Sequence, residues 1–200
     1  MNAPIDFYFE FSSPYGYFAS EVIMPLAEKY QREVLWHPIL LGVSFKTTGQ
    51  QPLSAIPLKG EYSLRDFARS ARFLGLPYKH PSPFPIPAQH PARAFLWVND
   101  RDPALARTFA QSTYRAYFVE GKNIADLGTV LDVAESIGIE RDALSEALST
   151  TTVKDRLKAE VELALSRGVF GSPFFIVGGE PFWGVDRLPQ LEKWLAEGSF

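Results

Sequence analysis

The chain predicts an α/β fold built around a sheet and interrupted by a large all-helical insertion. Three observations carry this. The N-terminal segment reads strand, helix, strand. The C-terminal segment reads helix, strand, strand, helix. The residues between show only three- and four-residue apolar spacing, broken by prolines. Of the 200 residues, 46% are hydrophobic and 22% charged, which suits one globular unit with a substantial core.

At the front, Ile5, Phe7, Phe9 and Phe11 alternate with Asp6, Tyr8 and Glu10. Period two with one apolar face is the pattern of a strand. Ser13 is a good N-cap and Pro14 suits the first helical position, so a helix opens there and runs to about Tyr30. Phe18, Val22, Ile23, Leu26, Ala27 and Tyr30 form its apolar stripe, and Pro25 inside it predicts a kink. Residues 33–39 read as a second strand, ended near Pro38.

Residues 41–59 read as irregular, with Gly42, Gly49, Pro52 and Pro57. A helix follows over Leu64–Leu74, stopped by Gly75 and Pro77. Six prolines between Pro77 and Pro91 then predict a stiff extended loop. Further helices are expected from Pro91 to Asn99, from Asp102-Pro103 to Gly121, from Asp126 to Gly138, and over 141–149. Val153, Leu157, Val161, Ala164 and Leu165 mark another helix, with Gly168 as C-cap. Phe174–Val177 is a strand, Gly178-Gly179 a hairpin turn, Pro181-Phe182-Trp183 the partner strand, and Leu188–Leu195 the last helix. This order is that of a thioredoxin fold, with residues 1–41 and 151–200 as its core and 42–150 as the inserted helical domain carrying the proline-rich loop.

Several function classes fall away on composition. A net charge of −3 argues against nucleic-acid binding, which needs a basic face. No apolar run approaches the roughly 20 residues that span a membrane. Met1–Pro4 lacks the basic and apolar regions of a signal peptide, so a cytoplasmic protein is expected. The absence of cysteine excludes disulfides, thiolate metal sites and a dithiol oxidase. Three scattered histidines, His37, His80 and His90, do not make a metal site. The scaffold of a thiol enzyme is thus written without sulfur of its own. Any sulfur in the chemistry arrives on a ligand.

The segment Phe7-Tyr8-Phe9-Glu10-Phe11-Ser12-Ser13-Pro14-Tyr15 resembles the front motif of the 2-hydroxychromene-2-carboxylate isomerases, relatives of the kappa-class glutathione transferases in the DsbA-like branch of the thioredoxin superfamily. The resemblance continues through Leu40–Lys46, Leu58–Tyr62, Val169–Phe174 and Phe182–Arg187, in family order. It implies a glutathione cofactor. By this resemblance Ser13 contacts the glutathione sulfur, with Pro14 and Tyr15 beside it. Ser172, before a cis Pro173, pairs with the tripeptide backbone, and Trp183, Gly184, Val185 and Asp186 hold the γ-glutamyl end. Gln50 stands where kappa-class members carry an asparagine. Lys46 is the nearest match to a substrate-side lysine, and the resemblance also implies a homodimer.

The residues support those roles physically. Ser13 at a helix N-terminus meets exposed N–H groups that favour an anion, and its hydroxyl can donate to a thiolate. It would stabilise the sulfur and not attack. The competing reading is a plain helix cap. A cis Pro173 would let an extended tripeptide dock on Ser172 as if it were a strand. Asp186 can pair with the ligand's ammonium or simply cap the last helix. Lys46, Lys59 and Arg93 are candidates to attract a substrate carboxylate, against the alternative of solvated surface cations. Phe84, Phe95, Trp97, Tyr114 and Tyr117 suit an aromatic pocket or the core.

Three functions follow. The first is a glutathione-dependent isomerase acting on an aromatic carboxylate by reversible thiolate addition. The second is a kappa-type transferase or peroxidase that consumes glutathione. The third is a non-catalytic glutathione-binding module.

Overall fold

The computed structural model describes residues 3–200. Strand β1 (Ile5–Phe9) lies inside a four-stranded sheet of order β2-β1-β3-β4, with β2 at Val34–Pro38, β3 at Phe174–Val177 and β4 at Glu180–Trp183. β1 pairs parallel with β2, placing Phe7 opposite Trp36. It pairs antiparallel with β3, placing Phe7 opposite Phe175 and Tyr8 opposite Phe174. β3 and β4 form the expected hairpin. This is the thioredoxin sheet that the strand order predicted.

Helix α1 (Pro14–Lys29) connects β1 to β2 and continues across Pro25. Between β2 and the C-terminal elements stand α2 (Leu41–Thr48), a 3-10 turn at Leu53–Ala55, α3 (Lys59–Phe73), α4 (Gln89–Asn99), α5 (Pro103–Phe118), α6 (Leu127–Ser136) and α7 (Arg141–Ser149). Helix α8 (Thr151–Ser166) leads into β3. A 3-10 turn at Val185–Arg187 opens α9 (Leu188–Glu197). No helix among the described residues is long and apolar enough to cross a membrane.

The structure corrects the reading of 41–59, which holds a two-turn helix and a 3-10 turn where irregular chain was expected. Helix α2 has no side-chain cap, and Val43 stays exposed. It shows neither the start signal nor the buried stripe by which a helix is recognised in sequence. Helix α3 likewise begins at Lys59, five residues before the apolar spacing begins at Leu64, on an uncapped Leu58. The proline-rich stretch forms no regular element. It is fastened instead by side chains: Tyr17 donates to the Pro77 carbonyl at 3.0 Å, Tyr117 to Pro83 at 2.8 Å, and the Ile86 N–H to Ser12 Oγ at 3.0 Å.

A second correction concerns the polar side of β1. Ile5, Phe7, Phe9 and Phe11 enter the main core as expected, where Phe9 meets Trp36, Phe95 and Phe11 edge-on. Tyr8 and Glu10, on the alternating positions, are also buried. Tyr8 packs with Ile39, Ala164, Val169, Phe174 and Ile176 in a smaller cluster, to which α8 contributes Ala164. A central strand with a parallel neighbour is covered on both faces, so alternation marks two environments and not core against water.

Behind that cluster His37 is held between two carboxylates, Nε2 at 2.9 Å from Asp6 and Nδ1 at 2.7 Å from Glu160. Burial alone would push its pKa down, but the two bonds and charges outweigh it and the pKa is raised. Asp6 and Glu160 are lowered, again against their own burial, by His37 and by Arg167 and Arg156 respectively. The sign follows by linkage. The raised imidazolium contributes stability that is fully present below its ordinary value of 6.5 and is lost as pH rises through the folded value. The lowered carboxylates contribute above 3.8 and 4.5 and lose it as pH falls through their folded values. The stability difference between the native chain and His37→Gln is therefore largest between 4.5 and 6.5 and shrinks at alkaline pH. Urea titrations across that range measure it. A difference independent of pH would refute the ion-paired state.

Candidate active site

The β1–α1 junction and the loop before β3 meet at two serines. Ser13 caps α1, its Oγ accepting the Gly16 N–H at 3.0 Å. The same hydroxyl donates to the Ser172 carbonyl at 3.0 Å. Ser172 in turn accepts the Glu10 N–H on its own Oγ at 2.9 Å. The Ser172–Pro173 peptide is cis, as the resemblance implied. Both serines are buried, so the two loops are locked together across the end of the sheet.

Two glycines allow this approach. A Cβ on Gly16 would lie 2.7 Å from the Tyr114 hydroxyl and 2.9 Å from Ser172 Oγ. On Gly171 it would lie 2.1 Å from Trp183 Nε1, because the indole rests directly on that backbone. Trp183 also meets Phe170 edge-on at 4.8 Å and remains half-exposed. The Gly184 N–H donates to the Pro173 carbonyl at 3.0 Å, which ties the Trp183–Asp186 segment to the cis-proline loop. Asp186 is exposed and paired with Arg187 at 3.0 Å. Its charge reaches the Tyr15 phenol.

Tyr15 stands in the first turn of α1 and donates to Asp66 of α3. Burial first, and then the Asp66 carboxylate, push the phenol's pKa far above its ordinary value, so it stays a neutral donor. Its ring meets Phe67 edge-on at 5.1 Å. Phe67 meets Phe84, which packs on His80 at 4.8 Å. An aromatic wall therefore rises beside the α1 N-terminus. Tyr15→Phe removes one bond from a carboxylate that keeps Arg69, so it lowers stability by only about 1 kcal/mol. Thermal unfolding checks this, and a loss several times larger would mean that Asp66 depends on Tyr15 alone.

A family model described as a DSBA-like thioredoxin domain matches residues 4–196. A 2-hydroxychromene-2-carboxylate isomerase of Pseudomonas sp. (strain C18) is 30% identical over 194 residues, covering 94% of this chain and 88% of that protein. The chain belongs to the 2-hydroxychromene-2-carboxylate isomerase family, within the DsbA-like thioredoxin proteins. A solved 2-hydroxychromene-2-carboxylate isomerase superposes with a TM-score of 0.87 at 27% identity, covering 96% of this chain and 94% of that one. Glutathione S-transferase kappa 2 of Caenorhabditis elegans is 26% identical, over 96% of this chain and 92% of its own length.

In this isomerase-family chain the residues singled out in the sequence fall into two groups. Ser13, Pro14, Tyr15, Ser172, Pro173, Trp183, Gly184, Val185 and Asp186 converge on the end of the sheet. The rest stand apart from them. Lys46 lies in the last turn of α2, and Gln50 is exposed just beyond it. That helix is attached to the cis-proline loop by Ser44 Oγ, which donates to the Phe170 carbonyl at 2.9 Å. Lys59 is exposed at the start of α3. Arg93 of α4 sits by His90, where the charge of Asp126 also acts, and no hydrogen bond or ion pair among the described residues joins it to Ser13. Phe95, Tyr114 and Tyr117 are core, whereas Phe84 lines the aromatic wall.

Sequence reasoning missed Glu10 and Asp66, and the bond to Glu10 made by Tyr114, which it named only as pocket or core. Glu10 stands on the alternating positions opposite the apolar face of the first strand, where the sequence assigns it no role. Tyr114 donates to the Glu10 carbonyl at 3.0 Å, a bond across 104 residues that no local pattern announces. Asp66 sits three residues before Arg69, which reads as an ordinary surface ion pair on a helix.

Proposed function

We propose that the protein is a glutathione-dependent isomerase acting on an aromatic carboxylate of the 2-hydroxychromene-2-carboxylate type. The observation that carries this is Ser13 at the α1 N-terminus, bonded across to Ser172 of the cis-proline loop, in a chain with no cysteine. The donor set fits the tripeptide: a hydroxyl and a helix N-terminus for sulfur, a loop backbone for the peptide, and Asp186 for the ammonium. The chemistry supplied by bound glutathione is reversible thiolate addition to a conjugated carbon, which frees rotation about the former double bond.

The protein's part is to hold charge and shape. Ser13 carries one proton, directed at the Ser172 carbonyl. Turning that hydroxyl toward a sulfur releases the carbonyl for a ligand N–H, so one rotation serves both contacts. The helix N-terminus offsets the negative charge of the sulfur. Tyr15 and Phe84, packed edge-on against the buried Phe67, are the aromatic rings proposed to meet an aromatic substrate. Lys46 and Lys59 are the cations proposed to attract its carboxylate, and Gln50 is proposed to contact the tripeptide.

The test is turnover of 2-hydroxychromene-2-carboxylate with and without glutathione. Activity that requires glutathione but leaves its thiol concentration unchanged supports the isomerase. Undiminished glutathione-free turnover refutes it. The kinship with a kappa transferase favours one second reading, conjugation at the same site. Net loss of thiol per turnover would establish that instead.

A further inference from the structure

Glu10 lies three residues before Ser13 and is only 6% exposed. Its backbone is the junction of the site. The carbonyl accepts the Ser13 N–H at 2.9 Å and the Tyr114 hydroxyl at 3.0 Å, and the N–H donates to Ser172 Oγ. Its carboxyl is held by one bond, from the Ser12 N–H to Oε2 at 2.7 Å. Among the described residues no lysine, arginine or histidine pairs with it. The titratable groups that feel its charge are two phenols of α5, Tyr114 and Tyr117, both buried.

A carboxylate without a cation in such a place is costly to ionise. Burial, offset only in part by the Ser12 amide, pushes its pKa up to about 8. At neutral pH the group is therefore mostly a neutral acid. Ionised, it places a negative charge on the Ser12 amide, one residue before the Ser13 niche where the glutathione reading puts another. Two like charges in one dry niche oppose each other and titrate as a pair.

We propose that Glu10 is a positioning residue that acts on the bound sulfur through its charge: neutral, it leaves the Ser13 niche open to a thiolate, and ionised, it opposes the thiolate. The inference rests on the glutathione reading. The pair holds one negative charge through the neutral range. The proton leaving the thiol goes to solvent while Glu10 keeps its own. Raising the pH then ionises Glu10 against the thiolate, so thiolate formation broadens toward alkaline pH where an isolated thiol would complete its titration.

The experiment titrates the ultraviolet thiolate band of glutathione bound to the full chain, with wild type and Glu10→Gln. The amide keeps an oxygen for the Ser12 N–H and cannot ionise. Glu10→Gln is expected to lower the apparent thiol pKa by about half a unit or more and to sharpen the titration to a single site. Equal thiol pKa values in both proteins overturn the proposal. S-methylglutathione, which has no thiol, is expected to bind both equally by calorimetry. If neither glutathione nor its S-methyl form binds wild type, the glutathione reading fails and this inference with it. Binding with an unshifted thiol overturns the inference alone. Should the variant not fold, wild type supplies a second readout, the carboxylic-acid infrared band of Glu10. That band must persist to higher pH with glutathione than with S-methylglutathione, and identical titrations overturn the proposal.

Discussion

Replacing Ser13 with alanine lowers turnover by about 100-fold or more while the protein stays folded. The hydroxyl has two structural bonds, the cap to Gly16 and the bond to the Ser172 carbonyl. Losing the cap costs about 1 kcal/mol, and leaving the carbonyl without its donor adds about 1 more. Neither figure unfolds a domain of this size, for which about 5–15 kcal/mol is usual. The rate effect is larger because this hydroxyl is the donor proposed to meet the thiolate at the helix terminus. Turnover at saturating glutathione, read beside the urea midpoint, separates the two. Full activity at a slightly reduced midpoint would make Ser13 a cap and nothing more.

Gly16→Ala should be the most disruptive single methyl in the site. In an exposed helix this substitution stabilises by about 1 kcal/mol. Here the added carbon falls 2.7 Å from the Tyr114 hydroxyl and 2.9 Å from Ser172 Oγ. Tyr114 is fully buried and bonded to the Glu10 carbonyl, and Ser172 is bonded to the Glu10 amide, so neither yields without breaking a bond across the site. Overpacking of this kind costs about 1–3 kcal/mol, which outweighs the helical gain. Net destabilisation with loss of glutathione binding is expected, read by thermal unfolding and calorimetry. A stabilised, binding-competent variant would show that the two loops and α5 are held more loosely than their bonds imply.

Those two positions also show how far the chain could be read directly. Ser13-Pro14 announces a helix start because capping is local chemistry, and the strand at Phe174–Val177 and the helix at Arg141–Ser149 fall where apolar spacing put them. Gly16 announces nothing. Its reason is a tyrosine 98 positions downstream in the sequence numbering, delivered by a helix of the insertion. Helix α2 escaped notice because it lacks both a cap and a buried stripe.

By itself, the amino-acid sequence determined the strand order, the capped start of α1, the absence of any protein thiol and the pair of motifs that meet at the sheet's end. All of these rest on neighbours within a few residues, or on composition. Only tertiary structure decided that Glu10 is buried beside Ser13 and that the Ser13 proton is directed at Ser172. It also decided that Tyr15 is held by Asp66 and that Arg93 stands by His90 and Asp126. Those facts depend on which distant surfaces cover a position. A carboxylate on an alternating strand looks the same in sequence whether water or a helix lies over it.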